Sequence, residues 1–462
     1  MVILSLLAVA AIVGAFVLLG RPAFGAGLLT FCLFTRLPEI AESRFHVPTI
    51  TVPLAIAVGV LGVSAAAKRG YAPTAVPLTL VLLGTRAAVM LLGWPAALNQ
   101  AEVMPAVLEF VRDGAVIVGL VAAVCTPGAL KSAVYGVITA GLLLGGIACL
   151  QFARGDYHNT YMELAKAPLV GVVGTTQGNR AAGPLGDPNF FAQSMVVVVA
   201  LALERAFREP RRLLRTLALV TVGVGSITVL LTLSRGGLIA LAAVLVVGVA
   251  WFRSWAAVGV MALAAIVAVP VFAPSGFFAR LDELGQLRGG TTAVDDPAVL
   301  GRFSEMRSAY DMFVDHPLVG IGTNGFPAAY PEYASRLGVE NDANDRNAHS
   351  LFLQQAAETG AIGLVQLGAV LALMWVAVRR TARRADPVSA SIAEGLTVAC
   401  FGFLTAGLFL HLAYPRLFWC LVGLCLASRQ TILTHEEDPA GTAGPSDKTS
   451  STGRWALAER IG

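Results

Sequence analysis

Residues 216–252 read TLALVTVGVGSITVLLTLSRGGLIALAAVLVVGVAWF, an apolar run broken only by Ser234-Arg235-Gly236-Gly237. As one helix these 37 residues would extend about 55 Å at 1.5 Å per residue. The hydrocarbon core of a bilayer is roughly 30 Å thick. The segment must therefore turn back on itself, and the Ser-Arg-Gly-Gly break supplies the turn. Comparable apolar runs lie at about 2–20, 22–37, 47–67, 74–98, 105–125, 133–152, 188–204, 256–273, 359–378, 390–411 and 416–433. With the hairpin they predict an all-α polytopic membrane protein of about 12–14 transmembrane helices.

Composition agrees. Hydrophobic residues make up 56% of the 462 and charged ones only 13%, which excludes a water-soluble globular chain. The net charge of +4 is modest and clustered, so no nucleic-acid partner is expected. All six cysteines lie in apolar segments without Cys-x-x-Cys spacing, which signals neither a disulfide framework nor a zinc site. Met1 to Gly20 lacks a basic leading region and a convincing cleavage site, so it reads as a retained first span.

Orientation follows from the short connections. Arg205, Arg208, Arg211, Arg212 and Arg215 cluster in one, and Arg379, Arg380, Arg383 and Arg384 in another. Lys68-Arg69 and Lys131 mark two more. Basic connections stay cytoplasmic, which puts segments 153–187 and 274–358 outside and Arg235 at the outer face of the plasma membrane. The chain then divides into a single transmembrane domain, 1–433, containing the extracytoplasmic loop 274–358, and a disordered cytoplasmic tail, 434–462.

The loop is expected to be partly helical. Asp296-Pro297 looks like a helix start, and Val299, Phe303, Met306, Tyr310 and Phe313 recur at helical spacing as a packed face running to His316-Pro317. Arg302 falls on another face, beside Glu305. Gly320-x-Gly322 and Asn324-Gly325 read as turns, and 327–337 as a second short helix. A third helix is expected from Asn347, carrying His349, Leu353 and Ala356 along one side until Gly360 interrupts it.

Few residues here could carry chemistry. His349, flanked by Arg346 and Asn347 above a span, reads either as a general base for a hydroxyl or as a surface histidine that hydrogen-bonds the loop. Arg235 costs a few kcal/mol within an apolar hairpin unless it finds water, headgroups or an anion. Arg302 alone is a common type of helical arginine. Arg86 lies mid-span, where it lines a polar cavity or pairs with an acid such as Glu109 or Asp113. Asn179 to Asn189 joins Arg180 to a glycine-proline turn leading into a span. No Asp-x-Asp, no His-x-x-x-His and no paired-carboxylate motif of the kind that nucleotide-sugar glycosyltransferases or hydrolases require occurs, so no metal or cofactor is expected.

In order, the chain carries Arg180 with Gly183 to Asn189, Ser234-Arg235-Gly236-Gly237, Gly301-Arg302, His316 to Gly322, His349, and Glu358 to Gly363. This ordered set around a long outer loop resembles the superfamily of O-antigen ligases and Wzy-type polysaccharide polymerases. The resemblance runs from about Arg180 to Gly363. It implies a metal-independent glycosyltransferase that moves a polyprenyl-diphosphate-linked glycan onto a glycan, glycolipid or glycoprotein acceptor hydroxyl at the outer face of the cytoplasmic membrane. On that resemblance Arg235 and Arg302 hold the diphosphate, Arg180 adds to the anionic site, and His349 is the general base. Many members have asparagine after the histidine, whereas this chain has Ser350. Ligase and polymerase differ only in the acceptor, and both stay open. The competing expectation is a transporter of a lipid-linked glycan or small anion, using Arg86 and Arg235 along a path through the membrane.

Overall fold

A computed structural model describes residues 21–46, 50–173, 176–252, 297–338, 346–412 and 415–432. The expected spans 2–20 and 256–273, the first part of the outer loop and the tail from 434 lie outside the described residues. Every other expected span coincides with a helix. In chain order these are α1 (Pro22–Thr35), α2 (Leu37–Phe45), α3 (Thr51–Ala67), α4 (Ala75–Leu92), α5 (Gln100–Ala123) and α6 (Pro127–Arg154). After them come α7 (Pro188–Arg208), α8 (Arg212–Leu231), α9 (Arg235–Phe252), α10 (Pro297–Asp315) and α11 (Phe326–Arg336). The last are α12 (Leu351–Arg384), α13 (Pro387–Gly407) and α14 (Pro415–Ser428). Among the described residues seven helices are long and apolar enough to cross a membrane, or eight if the bent α1–α2 pair is one span. This is an all-α polytopic membrane protein.

The expected 22–37 span is not straight. α1 and α2 meet at 58°, at Arg36, whose φ of 55° is left-handed. A short antiparallel hairpin that the sequence did not signal, β1 (Leu169–Val173) with β2 (Thr176–Asn179), lies within the 153–187 segment. At five and four residues its strands are too short to stand out as a periodic pattern.

α7 is the axis. Its apolar window is 94% buried inside the protein, because Val196 to Val199 and their neighbours are apolar all round and α6, α8, α9 and α13 pack on every side. Asp187 caps it, accepting from the amides of Asn189 at 2.7 Å and Phe190 at 3.3 Å, with Pro188 in the first turn. At its far end Arg205 is buried with Glu204, Glu209 and Ser391, and Lys131 reaches Glu209 at 2.7 Å. Arg208 faces Glu394 there, and Arg383-Arg384 end α12 close to the start of α13. Lys68-Arg69 follow α3, whose Gly62 packs on Ala123 at the same end. The four basic connections thus gather at one end of the bundle, and residues 297–338 and 346–350 at the other.

That segment, the expected outer one, is held by backbone. Ile321 N–H donates to the carbonyl of Ala357 at 2.8 Å and Gly322 N–H to that of Glu358 at 3.1 Å. In return Ala361 N–H donates to Pro317 at 2.8 Å and Ile362 N–H to Leu318 at 3.2 Å. The His316–Gly322 and Glu358–Gly363 motifs are therefore two sides of one contact. Gly320 (φ 70°) and Gly360 (φ 63°) make it possible: a Cβ on either would lie 2.4 Å from backbone atoms of the other strand. Gly360 breaks the helical path of α12 without ending it, so its first turns belong to the outer segment and the rest to the bundle. The contact extends to the connection after α4, where Leu98 N–H donates to the Ile321 carbonyl at 3.0 Å.

Gly360→Ala and Gly320→Ala are each expected to cost the roughly 1–3 kcal/mol of a left-handed non-glycine residue, plus the clash. Gly368→Ala, with nothing within 4 Å of the new methyl, is expected to be neutral or slightly stabilising. Thermal melting of detergent-purified variants checks the contrast.

Candidate active site

The hairpin turns at Thr232 to Ser234, slightly before the expected Ser234–Gly237, with Leu233 left-handed at φ 50°. Ser234 Oγ accepts from Gly237 N–H at 3.2 Å, so the serine caps α9 and Arg235 is its first residue. A Cβ on Gly236 would lie 3.0 Å from Phe409, and one on Gly237 2.5 Å from Ala192. The two glycines therefore let the Arg235 end press against α7 and the connection after α13. Arg180 is buried beneath this turn. Its Nε donates to the Thr232 carbonyl at 2.7 Å and its Nη2 to Asn189 Oδ1 at 3.2 Å.

α10 begins at Pro297 as expected, but buries a different face. Ser304, Glu305, Ser308, Ala309 and Met312 are buried, while Phe303 is 70% and Tyr310 48% exposed. The polar side wins the interior because it meets polar partners. Ser304 Oγ lies 2.8 Å from the Tyr330 hydroxyl, and Glu305 Oε1 accepts from Arg346 Nη1 at 2.9 Å. Arg302, in the same helix, is half-buried within electrostatic reach of Glu305 and His349. Burial pushes the Glu305 carboxyl up, and Arg346 and Arg302 partly offset this.

His349 is not on a helix, contrary to the sequence reading. α12 starts at Leu351, and Ser350 is its cap, accepting from Leu353 N–H at 3.4 Å. A capping residue needs non-helical backbone, which moves the start four residues beyond Asn347. His349 precedes the cap with φ 45°, a left-handed conformation uncommon for any residue but glycine. Its Nε2 stands 3.4 Å from Glu305 Oε2, while Nδ1 is buried with no hydrogen-bond partner among the described residues. Burial lowers its pKa to about 4. Arg302 adds to the effect, Asp187 opposes it and Arg346 adds a little more. The imidazole is therefore neutral at pH 7.

A second histidine escaped the sequence reading. His411, between α13 and α14, meets His349 edge-to-face with ring centroids 6.0 Å apart and stacks edge-on to Phe190 at 5.0 Å. Burial, with a smaller contribution from His349, lowers its pKa to about 3. Nothing in its sequence neighbourhood marks it, since a lone histidine at the end of an apolar run has no spacing to read. Through this connection the structure links the two halves of the expected site. Arg302 and His349 come together directly, Arg180 and Arg235 form a second pair, and Phe409 and His411 lie between.

Arg86 does not pair with Glu109 or Asp113. Asp113 accepts from Arg416 Nε at 2.9 Å, and the carboxylate within electrostatic reach of Arg86 is Glu358. Glu358 itself accepts from the backbone amides of Asn324 and Phe326 and from Gln354 Nε2 at 3.1 Å, holding the start of α11.

Residues 217–367 match the family model described as O-Antigen ligase. No curated protein matches the chain.

The cap at residue 350 leads to a direct expectation. Asparagine and serine cap helices about equally well, so Ser350→Asn should leave stability unchanged, whereas Ser350→Ala should lose about 1 kcal/mol. Melting of the purified variants decides between them.

Proposed function

From the premise that this chain is of the O-antigen ligase and Wzy-type polymerase superfamily, we propose that it transfers a glycan from a polyprenyl-diphosphate donor to an acceptor hydroxyl. Transfer takes place at the outer face of the cytoplasmic membrane. The observation that carries this reading is the neutral, half-buried His349, which lies 3.4 Å from Glu305, within electrostatic reach of Arg302, and is linked through His411 and Phe409 to the helix end that carries Arg235.

The acceptor oxygen attacks the anomeric carbon of the donor sugar. The bond from that carbon to the phosphate oxygen breaks, and polyprenyl diphosphate leaves with the electron pair. His349 takes the acceptor's proton and later returns it to water. Glu305 beside Nε2 favours the tautomer that is protonated there, which leaves Nδ1 to accept. Arg302 and Arg235 bind the diphosphate and stabilise the charge it gains as it departs. Arg235 opens α9, so the partial positive charge of that helix end adds to its own. Arg180 is a positioning residue on this reading, because its hydrogen bonds hold the turn that aims Arg235. The basic connections gathered at the opposite end support an outward-facing site.

Three measurements test the reading. With purified protein and a lipid-diphosphate glycan, His349→Ala should abolish transfer while donor binding persists, and retained turnover would remove it as the base. Arg235→Ala and Arg302→Ala should each weaken donor binding about tenfold or more, the loss of one charge-assisted contact. Unchanged binding by both would reject the diphosphate site. The base must be unprotonated, so kcat/KM should be constant near neutrality and fall as pH drops through about 4, the His349 value. An acid limb near the ordinary histidine value would contradict the buried imidazole.

A further inference from the structure

On the flank of His349 away from α9, a cavity of about 240 Å³ runs between the outer segment and the bundle. α4 and α5 form one wall, and His411 and the start of α14 another. Three buried side-chain atoms of its lining have no hydrogen-bond partner among the described residues: Arg86 Nη1, Thr323 Oγ1 and His411 Nδ1. Each such atom costs about 1–3 kcal/mol if it stays unsatisfied, and native proteins rarely gather several in one place. The cavity is therefore built for something polar.

The rest of the lining narrows the class. Of the three carboxylates in the lining, Asp113 is held by Arg416 and Glu358 lies within electrostatic reach of Arg86, which leaves Glu109. The charges of the lining are thus largely matched within the protein, and an added anion or cation would upset that balance. A neutral molecule with many hydroxyls suits such a lining, since each hydroxyl donates to a carboxylate and accepts from a guanidinium or amide. Phe110 and Trp419 add apolar faces of the kind that lie against a sugar ring. The volume gives room for at least one six-membered sugar ring.

Position assigns the role. α9, with Arg235, packs on α7, α8 and α13, whereas α4 and α5 pack on α3, α12 and α14. His349 lies between these flanks, with His411 of the cavity lining 6.0 Å from it. We propose that this cavity is the subsite for the acceptor's terminal sugar, a neutral hexose-type ring bound by Arg86, Thr323 and His411 with one hydroxyl turned toward His349. This rests on the transferase reading above. It also gives Arg86 a purpose that its mid-span position alone did not explain.

The test uses full-length protein in lipid nanodiscs and two probes, methyl hexopyranosides of gluco, galacto and manno configuration and inorganic pyrophosphate, followed by calorimetry. At least one glycoside should bind saturably to the wild type. Arg86→Met, His411→Phe and the space-filling Ala106→Phe should weaken that binding about tenfold or more and leave pyrophosphate binding unchanged. Arg235→Ala should do the reverse. His411→Phe and Ala106→Phe keep apolar packing, so they carry the test if Arg86→Met does not fold. The sugar subsite is overturned if no glycoside binds the wild type, or if the folded variants bind it as the wild type does. If the glycoside pattern holds but Arg235→Ala leaves pyrophosphate binding intact, the subsite is supported and the donor site is rejected.

Discussion

The backbone contact between 317–322 and 357–362 is the constraint on which the rest of the site depends. It consists of four hydrogen bonds between main-chain groups, so side-chain identity hardly enters except through what must be missing. A methyl group at Gly320 or Gly360 would separate the two strands. Because Gly360 lies within α12, the contact fixes the outer segment to a helix that continues through the bundle. Because Gly322 and Ile321 also meet the connection after α4, it ties that segment to a second helix.

Electrostatics is layered on this frame. Burial and two arginines hold His349 neutral, and Glu305 is held between Arg346 and the imidazole. The charged groups come from separate places in the chain. Arg302 and Glu305 are from α10, Arg346 and His349 from the connection before α12, Asp187 from the cap of α7 and Arg235 from the first turn of α9. Asp187 and Arg235 are held by the packing of α7 against α9 and α13, and Arg302 and Glu305 by the packing of α10 on α11 and α12, so the charged cluster depends on apolar contacts of the bundle.

The spans were legible because lipid demands long apolar runs, and the 216–252 hairpin followed from length alone. The ordered motifs around Arg180, Arg235, Arg302 and His349 were legible as a set. Three features were not. His411 has no local signature, and its role exists only through its distance to His349. The carboxylate within electrostatic reach of Arg86 is Glu358, 272 residues away, where sequence could offer only the nearer Glu109 and Asp113. The third is the buried face of α10. The apolar stripe Val299, Phe303, Met306, Tyr310 and Phe313 has helical period, and burying it is the correct inference for a protein surrounded by water. Here the serines and Glu305 are recruited by Tyr330 and Arg346 instead.

That reversal has a practical consequence for dissecting the protein. Phe303, Tyr310, Val314 and Leu318 run along one side of α10 and its continuation, each about half exposed or more, while the side facing the small core of Met312, Phe326 and Tyr330 carries polar groups. A helix arranged in this way follows the rules of a membrane interior although it belongs to the outer segment. Residues 297–350 cut free of the spans would show that strip to water and would self-associate instead of behaving as a soluble domain. Binding studies, antibodies and crystallisation tools aimed at this segment therefore need the intact chain in lipid.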